Sequence, residues 1–337
     1  MVEVHDPSGA ARDEAMPELA DALDPVKAER ELSSHLSSTL GGPLTLGAIS
    51  VVRHKPGRRC LIRYDATVAG DDGGASLSML GKVRVHRFGR SGWRRLNAFR
   101  EAGFDDDAPD MIGVPEPLGT VPAFHMWLQR LVEGRALTQL LVGPRAGELA
   151  ARAAEAAHKI HGAGVPTDKD HTYEDELAIL RERLAAAAGS RPDLAARIGR
   201  IAQAATGTTR PLLDRPATGI HRDYYADQLV VGDDGWIRVV DLDLYCQGDP
   251  AVDIGNFLGH VTEQSLRTWG DPQRLRAVEN AFRGRFLELA GDLHGEAVDV
   301  YADLTLARHI WLSTVIDGRG HTTDALVALC EERFGLV

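Results

Sequence analysis

No stretch of this 337-residue chain approaches the roughly 20 consecutive apolar residues that a membrane-crossing helix needs, which excludes such a helix. Cysteine is scarce. Cys60, Cys246 and Cys330 are odd in number and far apart, which fits neither a disulfide framework nor a zinc site. Basic residues are in deficit, 38 Lys and Arg against 49 Asp and Glu, for a net charge of -11. That balance argues against a nucleic-acid partner. Internal repeats and long low-complexity tracts are missing. The opening MVEVHDPSGAARDEAMPE is acidic and polar, unlike a signal or transit peptide. The expectation is a cytoplasmic protein that touches no membrane and whose oligomeric state the sequence does not give.

What is present is unevenly distributed. Residues 1–43 carry 3 basic and 9 acidic side chains, residues 44–131 carry 13 and 9, and residues 132–337 carry 22 and 31. A cation-rich middle segment suits a phosphate-bearing ligand, and an acidic remainder suits a cationic or neutral small molecule. Residues 1–25 read as mobile, being poor in apolar residues, with a helix from Pro25 to about Leu40. Segments 46–54, 59–69 and 76–87 read as three antiparallel strands, with turns at 54–58 and 69–74. A helix follows from Ser91, as its cap, to about Ala102, then strands near 112–119 and 123–132. Beyond Gly134 the pattern becomes helical, over 145–162, 172–188 and 191–205 and again over 253–333, with breaks near Gly270, Gly291 and Gly318. One small hairpin, 228–232 and 236–241, interrupts it, joined by Gly232-Asp233-Asp234-Gly235. These patterns predict an α+β fold of three parts: an N-terminal extension over 1–43, a strand-rich lobe over 44–131 and a mainly helical lobe over 132–337.

Chemistry concentrates in HRDYYADQLVVGDDGWIRVVDLDLYCQGDPAVDIGNF, residues 221–257. Asp223 precedes a strand, Gln228 starts that strand, and Asp241 ends its hairpin partner. A loop carboxylate and a hairpin-end carboxylate at one mouth suit phosphoryl transfer. One orients the acceptor hydroxyl and takes its proton, and the other holds Mg²⁺ against the phosphates.

This segment resembles the aminoglycoside phosphotransferases and their choline-kinase-like relatives. There the pattern is approximately H-G-D-x-x-x-x-N, then I-D followed by Phe or Trp, then G-D-P-x-x-D. The resemblance implies a protein-kinase-like, two-lobed α+β fold. It makes Asp223 the catalytic base, Asp241 the main Mg²⁺ ligand and Gln228 the stand-in for the family's metal-binding Asn. Arg222 gives the His-Arg-Asp order of protein kinases. Asp249 and Asp253 match the G-D-P-x-x-D element, and with Tyr224 they are the candidate acceptor-side residues. Upstream, Lys82 in LSMLGKVRVH occupies the strand position of the phosphate-binding Lys, with Glu101 its candidate partner. The HKPGRR turn replaces a glycine-rich loop, with Gly57 admitting a phosphate to the backbone and Arg58 or Arg59 adding charge. HMWLQRLVEGRAL resembles the inter-lobe connector, placing the nucleotide base against backbone groups of Arg130, Leu131 and Val132.

The implied activity is transfer of the terminal phosphoryl group of ATP or GTP to a hydroxyl of a small molecule: an aminoglycoside-like antibiotic, a sugar or an amino alcohol. Two alternatives stay open on the residues. Gln228 and the cationic turn would suit a nucleotide-binding pseudokinase. His221, Asp223, Asp241 and Asp243 could ligate a metal in a hydrolase.

Overall fold

The computed structural model describes residues 2–70, 74–85, 90–207, 212–213 and 215–337. The chain forms two compact units, residues 1–133 and 134–337.

In the first unit, β1 (Glu3–His5), β2 (Leu44–Lys55), β3 (Arg59–Val68), β4 (Ala75–Arg84), β6 (Pro117–Val121) and β7 (Met126–Arg130) make one sheet ordered β1-β2-β3-β4-β7-β6. The short β5 (Ile112–Gly113) precedes β6. Only β1 runs parallel to its neighbour. Alternation fixes which face is buried. Cys60, Ile62, Tyr64, Ala66 and Val68 of β3 point inward, beside Leu77, Met79 and Val83 of β4. A short helix α1 (Glu18–Ala22) leads into α2 (Pro25–Leu40), which buries Ala28, Leu32 and Leu36, one residue per turn. Asp24 caps α2 by accepting from the Val26 and Lys27 N–H groups, Pro25 sits at the first turn, and Gly41 closes the helix at φ +78°.

Three expectations need correction here. Residues 2–24 are built into the core rather than loose. Ala10, Met16, Leu19 and Ala22 are fully buried, and Tyr64 donates its hydroxyl to the Ala22 carbonyl at 2.9 Å. The acids that made this stretch read as solvated instead satisfy backbone N–H groups, Asp6 at Ala10 and Ala11 and Asp13 at Ala15. The next helix, α3 (Ser91–Phe99), starts after Arg90 and gains no cap from Ser91. It also stops early: Arg100–Phe104 is a wider turn, in which Ala102 and Gly103 leave helical dihedrals. The predicted third strand ends at Arg84, and its last two residues, with positions 71–73 of the predicted loop, lie outside the described residues.

The second unit holds α4 (Ala146–Gly162), α5 (Tyr173–Ser190), α6 (Ala195–Gly207), α7 (Ala251–Trp269), α8 (Arg276–Ala290), α9 (Gly295–Val315) and α10 (Thr323–Arg333). Its strands are short. β11 (Leu229–Val231) pairs antiparallel with both β8 (Arg135–Ala136) and β12 (Ile237–Val239). β13 (Cys246–Gly248) pairs antiparallel with β10 (Thr218–Ile220) and parallel with β9 (Asp170–His171). α7 is buried along most of its length and packs closely on α9. A Cβ on Gly255 would stand 2.4 Å from the Tyr301 Cβ, and one on Gly259 would stand 2.8 Å from the Thr305 Cβ. Among the described residues no helix is long and apolar enough to cross a membrane.

Docking of the N-terminal segment has a measurable consequence. Leu19→Ala removes a fully buried side chain and should cost about 2–5 kcal/mol of unfolding free energy in urea titration. A loss below about 0.5 kcal/mol, the level of an ordinary surface change, would mean that residues 2–24 contribute little to the unit.

Candidate active site

Asp223 owes its place to short elements on both sides. β10 ends at Ile220, and residues 221–225 cross to a 3-10 turn, Ala226–Gln228, which opens β11. The crossing is held from beneath by Asp253, in the first turn of α7 and fully buried. Its Oδ2 accepts the His221 N–H at 2.8 Å and lies 3.0 Å from His161 Nε2, while Oδ1 accepts the Arg222 N–H at 2.7 Å. A buried carboxylate that lost these partners would be strongly destabilising, so the turn and α7 are tied together. His221 extends the tie: Nε2 donates to the Val240 carbonyl at 2.9 Å, and Nδ1 accepts the Asp223 N–H at 3.3 Å. Val240 directly precedes Asp241, so one imidazole ties the backbone at Asp223 to the backbone beside Asp241. Arg222 at φ +71° and Asp241 at φ +58° both hold left-handed backbone, costly for residues with a Cβ and typical of functional turns.

The Asp223 carboxyl is pushed above the ordinary aspartate range. Burial is the chief cause, and repulsion from Asp241 and Asp253 adds to it, while His221 and Arg308 oppose it. A raised pKa suits a group that must take a proton.

Gln228 is buried, and its backbone carbonyl accepts the Val240 N–H at 2.9 Å, which brings it to the strand that delivers Asp241. Its side-chain amide has no hydrogen-bond partner among the described residues. Asp241 and Gln228 together offer hard oxygen donors, and no group of three or more His, Cys, Asp and Glu gathers around a common point among the described residues. A set this sparse fits Mg²⁺, which takes one or two protein oxygens and fills its shell from phosphate and water. It does not fit the hydrolase alternative, because both nitrogens of His221 are already spent on the backbone.

In the first unit Lys82 lies on β4, in register with Leu61 of β3 and Trp127 of β7. Its Nζ is 5.0 Å from the Trp127 ring centroid. The expected pair with Glu101 is not formed. Glu101 is exposed in the wide turn that follows α3 and makes no ion pair among the described residues. Gly57 takes φ +62° in the β2–β3 turn, and Arg58 beside it is exposed. The Gly57 N–H is already donated to Asp13 Oδ2 at 2.8 Å, so it is not open to a phosphate as the sequence suggested. At the connector the Arg130 N–H goes to Glu116 and the Leu131 N–H to Ser78, at 2.8 and 2.9 Å. Of the three connector residues only Val132 keeps its N–H out of a backbone bond among the described residues.

A phosphotransferase enzyme family profile matches residues 83–296, well over half the chain. The chain belongs to the phosphotransferase enzyme family. Solved phosphotransferases share its fold. A choline/ethanolamine kinase family protein from Mesorhizobium loti superposes with TM-score 0.53 at 16% identity, covering 94% of this chain and 93% of that one. A spectinomycin phosphotransferase bound to ADP and spectinomycin gives 0.57 at 12% identity, covering 92% and 93%. A glucosamine kinase gives 0.50 at 16%, covering 88% and 91%. No curated protein matches the sequence. The fold is thus the protein-kinase-like α+β fold that the motif implied.

The candidate acceptor-side residues of this phosphotransferase fare differently. Tyr224 is fully buried, donates its hydroxyl to the Ala153 carbonyl at 2.6 Å and packs against Phe257 and Phe282, so it supports the turn and faces no substrate. Asp253 is likewise internal. Asp249 pairs with Arg215, accepts the Ala251 N–H at 2.9 Å and borders a cavity of about 410 Å³ with Asp170, Glu174 and Tyr301. That cavity also takes in Ala217 and Gly248, at the end of β10 opposite to Asp223. Sequence reasoning missed the polar wall of α5, α7 and α9. Arg308 donates to Asn256 Oδ1 at 2.6 Å and reaches Glu176 at 3.5 Å, and Glu176 in turn lies 2.6 Å from His171 Nε2. Only their convergence across three helices marks these residues, and no local motif does.

The raised Asp223 pKa has a signed consequence. A carboxyl whose pKa is higher folded than unfolded costs stability as pH rises through the folded value, and the cost is fully present above it. Asp223→Asn should therefore melt at a higher temperature than wild type at pH 7, with the gap closing toward pH 4. A lower melting temperature at pH 7 would mean that the carboxylate is stabilised in place.

Proposed function

We propose that this phosphotransferase moves the terminal phosphoryl group of ATP or GTP to a hydroxyl of a small molecule such as an aminoglycoside-like antibiotic, a sugar or an amino alcohol. The observation that carries the reading is Asp223, a carboxyl of raised pKa on a turn whose backbone Asp253 fixes. The relatives' names support the acceptor class, since they include kinases of choline or ethanolamine, spectinomycin and glucosamine.

In this reading Asp223 accepts the hydrogen bond of the acceptor hydroxyl and orients its oxygen in line with the γ-phosphorus. The new P–O bond forms as the bond to the β–γ bridging oxygen breaks, and the hydroxyl proton passes to the Asp223 carboxylate. Rigidity of the turn is part of the chemistry, because effective positioning depends on small displacements. Asp241 and Gln228 would hold Mg²⁺, which neutralises phosphate charge when bound. The Lys82 ammonium takes the α/β-phosphate role, with Trp127 limiting where it can reach. Val132 supplies the backbone N–H for the base.

Two substitutions test this. Asp223→Asn should lower kcat by about 10²–10⁴-fold, the usual general-base contribution, with ADP affinity by calorimetry near wild type. A variant retaining more than a tenth of wild-type kcat would remove Asp223 from the role. Gln228→Asn keeps an amide oxygen and should stay active, whereas Gln228→Leu should lose Mg²⁺-dependent nucleotide binding and turnover together. Wild-type turnover in Gln228→Leu would leave Gln228 a packing residue.

A further inference from the structure

The long β2–β3 hairpin ends in a turn over residues 55–59 that carries Lys55, Arg58 and Arg59. Hairpin tips of this kind have few partners and open readily. This one is fastened by the N-terminal segment. Asp13 projects a carboxylate, only 7% exposed, onto the tip. Its Oδ2 accepts the Gly57 N–H at 2.8 Å and lies 2.8 Å from His54 Nε2, while Oδ1 accepts the Ala15 N–H at 3.0 Å. The Gly57 N–H bond, with the His54 contact, also holds this carboxyl below the usual aspartate range. Ala15 packs over the glycine at ordinary contact distance, since a Cβ there would lie 3.5 Å from its methyl. On the other side the Arg58 carbonyl accepts the Val85 N–H at 3.1 Å, and the Arg58 N–H closes the turn on Lys55 at 3.0 Å. Burial of Met16, Leu19 and Ala22 locks the segment that presents Asp13.

We infer that Asp13 is a positioning residue for donor-nucleotide binding, a carboxylate that spends the Gly57 N–H to fix the tip so that its cations meet the donor phosphates. The inference rests on the reading of the 55–59 turn as the donor-phosphate turn. It assigns phosphate recognition to side-chain cations rather than to loop amides. Lys55 suits the task, being partly desolvated and flanked by Arg59, Arg53 and Arg58, which lower its pKa and make a bound anion welcome. An unpaired carboxylate beside phosphates would repel them. Here the Gly57 N–H and His54 absorb its charge from beneath, and Arg58 stays exposed.

The test compares Asp13→Ala and Asp13→Asn with wild type in the full-length protein. Asn keeps a side-chain oxygen for the Gly57 N–H, and Ala keeps none. Asp13→Ala should raise amide hydrogen exchange in a peptide covering residues 54–59 about tenfold or more, while exchange in α7 stays unchanged. It should also raise KM for ATP about tenfold with kcat within about twofold, the pattern of lost binding rather than lost chemistry. Asp13→Asn should recover most of both. A purely structural Asp13 would lower the melting temperature and leave KM alone, which would overturn the inference, as would unchanged exchange at the tip. Failure of the underlying reading looks different: Lys55→Ala and Arg58→Ala would then leave KM for ATP at the wild-type value, and the inference would fall with it, even if Asp13→Ala loosened the tip.

Discussion

The buried carboxylate of Asp253 is the contact on which the path of the turn that carries Asp223 depends. It gathers two consecutive backbone N–H groups and one imidazole around a single fully buried side chain. Each partner alone would be an ordinary hydrogen bond, but a buried charge that loses any of them is costly, so the arrangement behaves as one piece. Through it the first turn of α7 sets the path of residues 221–223. Through His221 the same restraint reaches Val240 and hence Asp241. The left-handed backbone at Arg222 and Asp241 is strain that this network can sustain.

Rigidity beneath the turn continues into the helices. Tyr224 drives its ring between α4, α7 and α8, where Phe257 and Phe282 stack at 3.9 Å. Gly255 and Gly259 let α9 approach α7 so closely that no side chain could stand between them. α9 in turn carries Arg308, whose charge opposes the rise in the Asp223 pKa. Packing, backbone strain and the environment of Asp223 are therefore linked along one path. A polar wall joins Arg308 of α9, Asn256 of α7 and Glu176 of α5 to His171 of β9.

Much of this was legible in the sequence, for identifiable reasons. Runs rich in Val, Ile, Leu and Tyr, broken by Gly, Asp and Pro, exposed β2, β3 and β4, and the glycines at 270, 291 and 318 marked the ends of the long helices because each takes a positive φ. The spacing of Asp223, Gln228 and Asp241 needed only a loop and a short hairpin to become geometry. What stayed hidden needed three dimensions. The direction of the Tyr224 phenol is set by a pocket built from three helices, and the burial of Asp253 by partners up to 92 residues away. Glu101 falls in the wide turn where regular helix ends after Phe99, and the pairing expected of it does not form. Residues 2–24 looked solvated because acids that cap turns resemble acids that face water. The difference appears only once Asp6, Asp13 and Asp24 are seen holding N–H groups.

The central claim is that this fold transfers a phosphoryl group to a hydroxyl. The most direct measurement is phosphorus NMR of the wild-type protein with Mg²⁺ and ATP or GTP, taken against aminoglycosides, amino sugars and amino alcohols in turn. The account predicts that with at least one acceptor the γ-phosphate resonance falls while the nucleoside diphosphate and a phosphomonoester rise in equal amounts. Intact triphosphate with every acceptor, or release of inorganic phosphate alone, would contradict it.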